Sequence, residues 1–178
     1  MAPTPEPGPL LVLIGPMGAG KSTVAALLAE TRGVDARDTD ADVEQVAQST
    51  VADIFVAEGE ARFRAMERDA VAAALREHDG VLSLGGGAVL DPATREALAG
   101  YAAAGGTVVF LRVGLSDAVN RVGLGSSRPL LLGNVRGRIK ALLDERTPIY
   151  ESVATHTVDT DGRTPGEVAG EIEELFVR

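Results

Sequence analysis

Residues 10–23 read LLVLIGPMGAGKST. An unbroken apolar run leads into Gly15-Pro16-Met17-Gly18-Ala19-Gly20-Lys21-Ser22, and residues 22–32 beyond it have helix-forming composition. The segment fits G-x-x-x-x-G-K-[ST] without a gap, in the strand–loop–helix setting that gives the pattern its meaning. Its glycines let backbone N–H groups turn inward around phosphate oxygens. The following helix directs its positive end at the same anion. Lys21 can reach the β- and γ-phosphates, and the Ser22 hydroxyl can ligate Mg²⁺. Gly18, Ala19, Gly20, Lys21, Ser22 and Thr23 are therefore expected to hold a nucleoside triphosphate. A dinucleotide fingerprint fits less well, because Gly15, Gly18 and Gly20 do not make G-x-G-x-x-G. The loop alone does not separate an ATPase, a GTPase and a small-molecule kinase.

Outward from this loop, apolar runs alternate with helical periodicity. Strands are expected at 10–14, 81–84, 107–111 and 154–158, and helices at 22–32, 41–48, 60–77, 92–98, 115–122, 135–150 and 165–177. Short apolar strands separated by helices imply an α/β fold, a parallel sheet covered on both faces. A further strand at 34–38, VDARD, is polar and suits a sheet edge. A Pro-rich tail over 1–9, expected to be disordered, precedes a single domain over 10–178. The glycine-rich connection at 123–134, between two helices, is read as a lid.

The chain has 178 residues, enough for a real core. Aromatics are 3% and Trp is absent, so Ala, Val, Leu and Ile must build it. A net charge of −9 argues against a nucleic-acid partner, although a local Arg cluster can still bind a small anion. No Cys is present, which excludes a disulfide framework and a thiolate metal site and is compatible with a reducing cytoplasm. No run approaches the roughly 20 apolar residues of a membrane span, and the N-terminus lacks the features of a signal peptide. A cytoplasmic monomer is the expectation.

Asp38-Thr39-Asp40 follows the second strand. In an extended segment residues i and i+2 share a face, so both carboxylates are expected near the strand's C-terminal end, where ligands sit in such sheets. One could hold Mg²⁺ through water, and the other could orient or deprotonate a hydroxyl. The alternative is a solvated acidic turn capping the next helix. Arg64 and Glu67 share a helix face, and the bland reading is an exposed ion pair of little consequence. Gly85-Gly86-Gly87 after VLSL would leave backbone open to a ligand. Arg121, Arg128 in the lid and Arg146 in DERTPIY could converge on an anionic substrate, since Arg forms bidentate bonds to carboxylate and phosphate. His78 and His156 have no metal-like spacing and read as surface or loop residues.

GPMGAGKST, DTD, FRAMERD, LGGGAV, SRPLL and ERTPIYESVA, in that order, resemble the shikimate kinase family over nearly the whole chain. The resemblance implies a P-loop fold like that of the nucleoside-monophosphate kinases, with a five-stranded parallel sheet in the order 2-3-1-4-5 flanked by helices. It implies Mg²⁺-dependent transfer of the ATP γ-phosphate to the 3-hydroxyl of shikimate, on the route to aromatic amino acids. The family pattern implies that Lys21 and Ser22 hold phosphate and Mg²⁺, with Asp38 on the Mg²⁺ side, largely through water. It makes Asp40 the shikimate-hydroxyl reader and base. Arg64 and Arg146 become the carboxylate clamp, supported by Glu67 within a substrate region of about 40–77, and Gly85, Gly86 and Gly87 give backbone contacts. Arg128 is expected at the transferring phosphate, Arg121 on adenine and Arg163 in the adenine-side loop. Two other readings are another small-molecule kinase of this fold, such as a gluconate kinase, and an ATP-binding module without turnover. The first should lack the Arg64/Arg146 clamp, and the second would not need Asp40.

Overall fold

The computed structural model describes residues 8–123 and 134–176. Five strands run in parallel: β1 (Leu11–Ile14), β2 (Ala36–Asp38), β3 (Val81–Ser83), β4 (Val108–Arg112) and β5 (His156–Asp159). Their order is β2-β3-β1-β4-β5, as the family resemblance implied. The helices are α1 (Lys21–Arg32), α2 (Thr39–Ala47), α3 (Val51–Glu58), α4 (Glu60–Glu77), α5 (Pro92–Ala103), α6 (Leu115–Gly123), α7 (Val135–Val153) and α8 (Pro165–Glu174).

Strand alternation explains why LLVLI is apolar throughout. Leu11 and Leu13 enter one core beneath the sheet with Val24, Leu28, Val168 and Ile172. Val12 and Ile14 enter a second core on the opposite face with Val71, Leu98, Phe110 and Tyr150. A central strand buried on both faces has no position left for a polar side chain. The polar β2 lies at the edge, with Ala36 exposed and Arg37 held by Asp42 at 2.7 Å, so the sequence VDARD finds the place it suits. A third cluster, Val43, Ile54 and Phe63, binds α2, α3 and α4 together beside the sheet.

Helix α3 was not expected from periodicity. Its signal is local: the Thr50 hydroxyl accepts from the Asp53 N–H at 3.1 Å, an N-cap that satisfies one of the helix's orphan donors. α5 runs to Ala103 and α7 to Val153, past the expected ends, and α7 continues through Pro148. His156 lies in β5 rather than in a loop, with its side chain exposed. Residues 124–133, including Arg128 and most of the expected lid, lie outside the described residues, as do residues 1–7 of the expected tail. Among the described residues no helix is long and apolar enough to cross a membrane.

Gly80 provides a test of the edge. Its carbonyl accepts from Leu10 N–H at 2.9 Å, and a Cβ there would collide with the Asp35 backbone carbonyl, whose oxygen accepts from Val81 N–H at 2.9 Å. Neither partner can move without disturbing strand pairing. Gly80→Ala should therefore cost on the order of 2–3 kcal/mol in a denaturant melt. Gly100→Ala, at a helical position with open space around it, should instead stabilise by about 0.5–1 kcal/mol. Equal melts for the two variants would contradict this account of the β2–β3 edge.

Candidate active site

The phosphate loop leaves β1 at Ile14 and ends at the first turn of α1. Gly15, Gly18 and Gly20 all have positive φ, at 151°, 83° and 89°, which is what an inward-turned backbone requires. Gly20 is the N-cap of α1 and offers no side chain to its first N–H groups, so these remain available to an anion. The Lys21 ammonium lies back over the loop, donating to the carbonyls of Gly15 at 2.6 Å and Pro16 at 3.1 Å.

Asp38 closes β2 and is the N-cap of α2: its Oδ1 accepts from Asp40 N–H at 2.8 Å. Its Oδ2 accepts from the Ser22 hydroxyl at 3.0 Å. This corrects the expectation of an extended DTD. Thr39 and Asp40 are already helical, because the Asp38 side chain satisfies the first turn and starts the helix one residue after the strand. The two carboxylates are brought together by a cap, not by strand alternation. The capping turn is not the solvated one of the bland reading either. Asp40 Oδ1 is buried and has no hydrogen-bond partner among the described residues. Burial first, and then the neighbouring Asp38 charge, push the Asp40 carboxyl above its usual range, with Lys21 and Arg64 opposing.

The glycine run crosses this carboxylate. A Cβ on Gly85 would strike Asp40 Oδ1 and come within 2.8 Å of Glu67 Oε2. A Cβ on Gly87 would lie 2.5 Å from Arg64 Nη2. Gly86 borders the phosphate loop, its notional Cβ 3.4 Å from Met17 N and 3.6 Å from Gly15 O. At Gly85 and Gly87 the absence of a side chain is therefore a requirement of packing, whereas at Gly86 a Cβ would make ordinary contact.

Arg64 and Glu67 do not form an exposed pair. Glu67 is 2% exposed, and its Oε1 accepts from Arg64 Nη1 at 2.8 Å. Burial raises the Glu67 carboxyl, and the Arg64 guanidinium beside it pulls the other way. A buried carboxylate is costly to strand, so Glu67, hydrogen-bonded to Arg64, anchors that guanidinium against Gly87. Arg146, on α7, faces the same cluster and interacts with Glu67. Its Nε is buried without a hydrogen-bond partner among the described residues.

Two residues that sequence reasoning did not nominate complete the cluster. Thr39 is fully buried, and its Oγ1 accepts from Gly85 N–H at 3.1 Å. Tyr150 is fully buried, stacks on Phe110 at 5.0 Å between ring centroids, and donates its phenol to the Gly86 carbonyl. Burial pushes that phenol up to about 12, with Arg146 opposing, so it keeps its proton and remains a donor. The i,i+4 spacing of Arg146 and Tyr150 on one helix face was the available signal for the second.

Arg121 reaches the phosphate loop from α6, donating to the Gly18 carbonyl at 3.0 Å and to Thr160 O at 2.8 Å. Arg163 is tied to α8 and β5, to Glu171 at 2.5 Å and the Asp159 carbonyl at 2.8 Å, and is not part of the carboxylate cluster. Among the described residues no group of three His, Cys, Asp or Glu forms a metal cage. Ser22 and Asp38 supply paired oxygens beside the loop, a donor set that suits a hard cation retaining several waters. A cavity of about 360 Å³ at the ends of β4 and β5 touches none of the nominated residues, and its Arg112 is already paired with Asp159 at 2.6 Å.

Comparison with known proteins follows the same lines. The shikimate kinase family model matches residues 17–176. A shikimate kinase of Salinispora arenicola is 57% identical over 168 residues, covering 94% of this chain and 98% of its own. The structure of a shikimate kinase from Acinetobacter baumannii in complex with shikimate superposes with a TM-score of 0.88 at 33% identity, covering 97% of this chain and 94% of that one. A gluconokinase from Sinorhizobium meliloti, covering 97% of each chain, reaches a TM-score of 0.55 at 18% identity, a likeness of fold alone.

Proposed function

Because the chain belongs to the shikimate kinase family, we propose that it transfers the γ-phosphate of ATP to the 3-hydroxyl of shikimate, with its residues in the following roles. The observation that carries the reading is the convergence of Asp40, Glu67, Arg64 and Gly85–Gly87 at one end of the sheet, beside the phosphate loop. Cations for a carboxylate and a buried acid for a hydroxyl are what a small hydroxylated carboxylic acid requires. A gluconate kinase would share the loop, and gluconate also carries a carboxylate; membership of the shikimate kinase family favours shikimate.

Arg64 and Arg146 hold the substrate carboxylate, and Glu67 keeps Arg64 in place. Asp40 accepts a hydrogen bond from the acceptor hydroxyl and takes its proton as the oxygen attacks. Its burial suits this role, because a carboxyl raised above its usual range is the better proton acceptor. Lys21, the loop N–H groups and Arg128 hold and neutralise the phosphates. Arg121 lies on the adenine side, and so does Arg163. Mg²⁺, which Ser22 and Asp38 would hold, supplies charge neutralisation at the phosphates when bound. Little covalent work is left to the protein, since phosphoryl transfer is mainly a matter of positioning and electrostatics.

Residues 10–178 act as one domain, with the substrate region at about 40–77 and the lid at about 123–134. ADP release from Mg·ATP should depend on shikimate and not on gluconate, with shikimate 3-phosphate as product. ADP release that ignores shikimate, in protein that binds ATP, would refute the reading.

A further inference from the structure

The glycine run is gripped at two successive residues by side chains outside the expected site. Thr39 Oγ1 accepts from the N–H of Gly85 at 3.1 Å, and the Tyr150 phenol donates to the carbonyl of Gly86. Both side chains are fully buried. They come from different helices. Thr39 sits between Asp38 and Asp40 at the start of α2, whereas Tyr150 lies one turn beyond Arg146 on α7. Gly86 in turn borders Met17 and Gly15 of the phosphate loop. The two hydrogen bonds thus fix one short piece of backbone relative to the acid, the cationic clamp and the phosphate loop at once.

From this geometry we infer that Thr39 and Tyr150 are positioning residues for the acceptor: they set the glycine backbone, and through it the register between the acceptor hydroxyl and the transferred phosphate. The inference rests on the shikimate reading of the site. The Gly85 and Gly87 carbonyls are already held by the Ala88 and Leu90 N–H groups at 3.0 and 3.1 Å, and Thr39 and Tyr150 hold the Gly85 N–H and the Gly86 carbonyl between them. Because glycine backbone is permissive, loss of either side-chain tether lets that peptide turn and shift the acceptor. Displacement of a reacting group costs rate even when the chemistry is untouched. Thr39→Val keeps the shape and removes the hydroxyl, while Thr39→Ser keeps the acceptor oxygen. Tyr150→Phe keeps the stack on Phe110 and removes the phenolic hydroxyl.

The test is steady-state kinetics on the full chain, varying shikimate and Mg·ATP separately, with a thermal melt of each variant. Thr39→Val and Tyr150→Phe should each raise KM for shikimate about tenfold and lower kcat about tenfold, the scale of one lost positioning hydrogen bond. KM for ATP should stay within about twofold, and Thr39→Ser should restore both parameters to within about twofold of the parent. A purely structural role would move both KM values together with the melting temperature. That pattern overturns the inference, as does an unmoved KM for shikimate in Thr39→Val and Tyr150→Phe. The parent protein in the same assay keeps the two readings apart. No shikimate turnover by the parent defeats the functional reading itself, whereas parent turnover with unmoved variants defeats only the positioning role.

Discussion

Asp40→Asn is expected to lower phosphoryl transfer by about 10²- to 10⁴-fold, the range for loss of a positioned general base, while ATP binding stays nearly intact. Asp40 is on the acceptor side of the site, beneath Gly85, and Lys21 is held by the loop carbonyls instead. A second effect has the opposite sign. Folding raises the Asp40 carboxyl above its ordinary 3.8, chiefly through burial. A group raised in this way favours the fold below its unfolded value, and the contribution is lost as pH rises through the folded value. At neutral pH the ionised Asp40 therefore weighs against stability, and a neutral amide of the same shape relieves it. In EDTA and without nucleotide, Asp40→Asn should melt above the parent at pH 7, with the difference shrinking toward pH 4. Near-normal turnover would remove Asp40 as the base. A melting temperature below the parent's at pH 7 would show that the buried charge is not under strain.

Arg146→Ala should weaken shikimate binding by about 2–4 kcal/mol, roughly 30- to 1,000-fold in apparent affinity. The magnitude follows from position. The Arg146 Nε is buried without a hydrogen-bond partner among the described residues, so this N–H has given up water and a substrate carboxylate would supply the missing acceptor. The affinity for ATP should change little. Arg163→Ala is the matched control, because that guanidinium is engaged by Glu171 and the Asp159 carbonyl away from the carboxylate cluster. Unchanged shikimate affinity in Arg146→Ala, or an equal loss in Arg163→Ala, would take Arg146 out of the clamp.

What could be read in advance divides along physical lines. β1 and the phosphate loop were legible because each property needed is local: an apolar run, glycines at positive φ, a Lys and a Ser in fixed register. The sheet order came from the ordered set of motifs, and the polarity of VDARD pointed to an edge for β2. α3 was missed because it is short, 8 residues between α2 and α4, and its clearest mark is the single cap of Thr50 on Asp53. Of the two readings of DTD, the capping turn held and the extended segment did not, because the Asp38 side-chain oxygen starts the helix at once; that the turn is buried rather than solvated depends on what packs over Asp40.

The sequence by itself determined which chemistry was present: a triphosphate loop, carboxylates after the second strand, three glycines after the third and several arginines. Spacing along one chain carries that information because loops and caps are built from neighbours. Only the tertiary structure decided which of these groups are buried together. Glu67 changes from one half of a bland surface pair to an interior anchor because α4 packs its face against Gly85 and Gly87. Thr39 and Tyr150 matter because their partners are 46 and 64 residues away in sequence. Burial and long-range hydrogen bonding depend on what folds over a residue, and a local pattern such as the i,i+4 spacing of Arg146 and Tyr150 gives the shared helix face but not the partner.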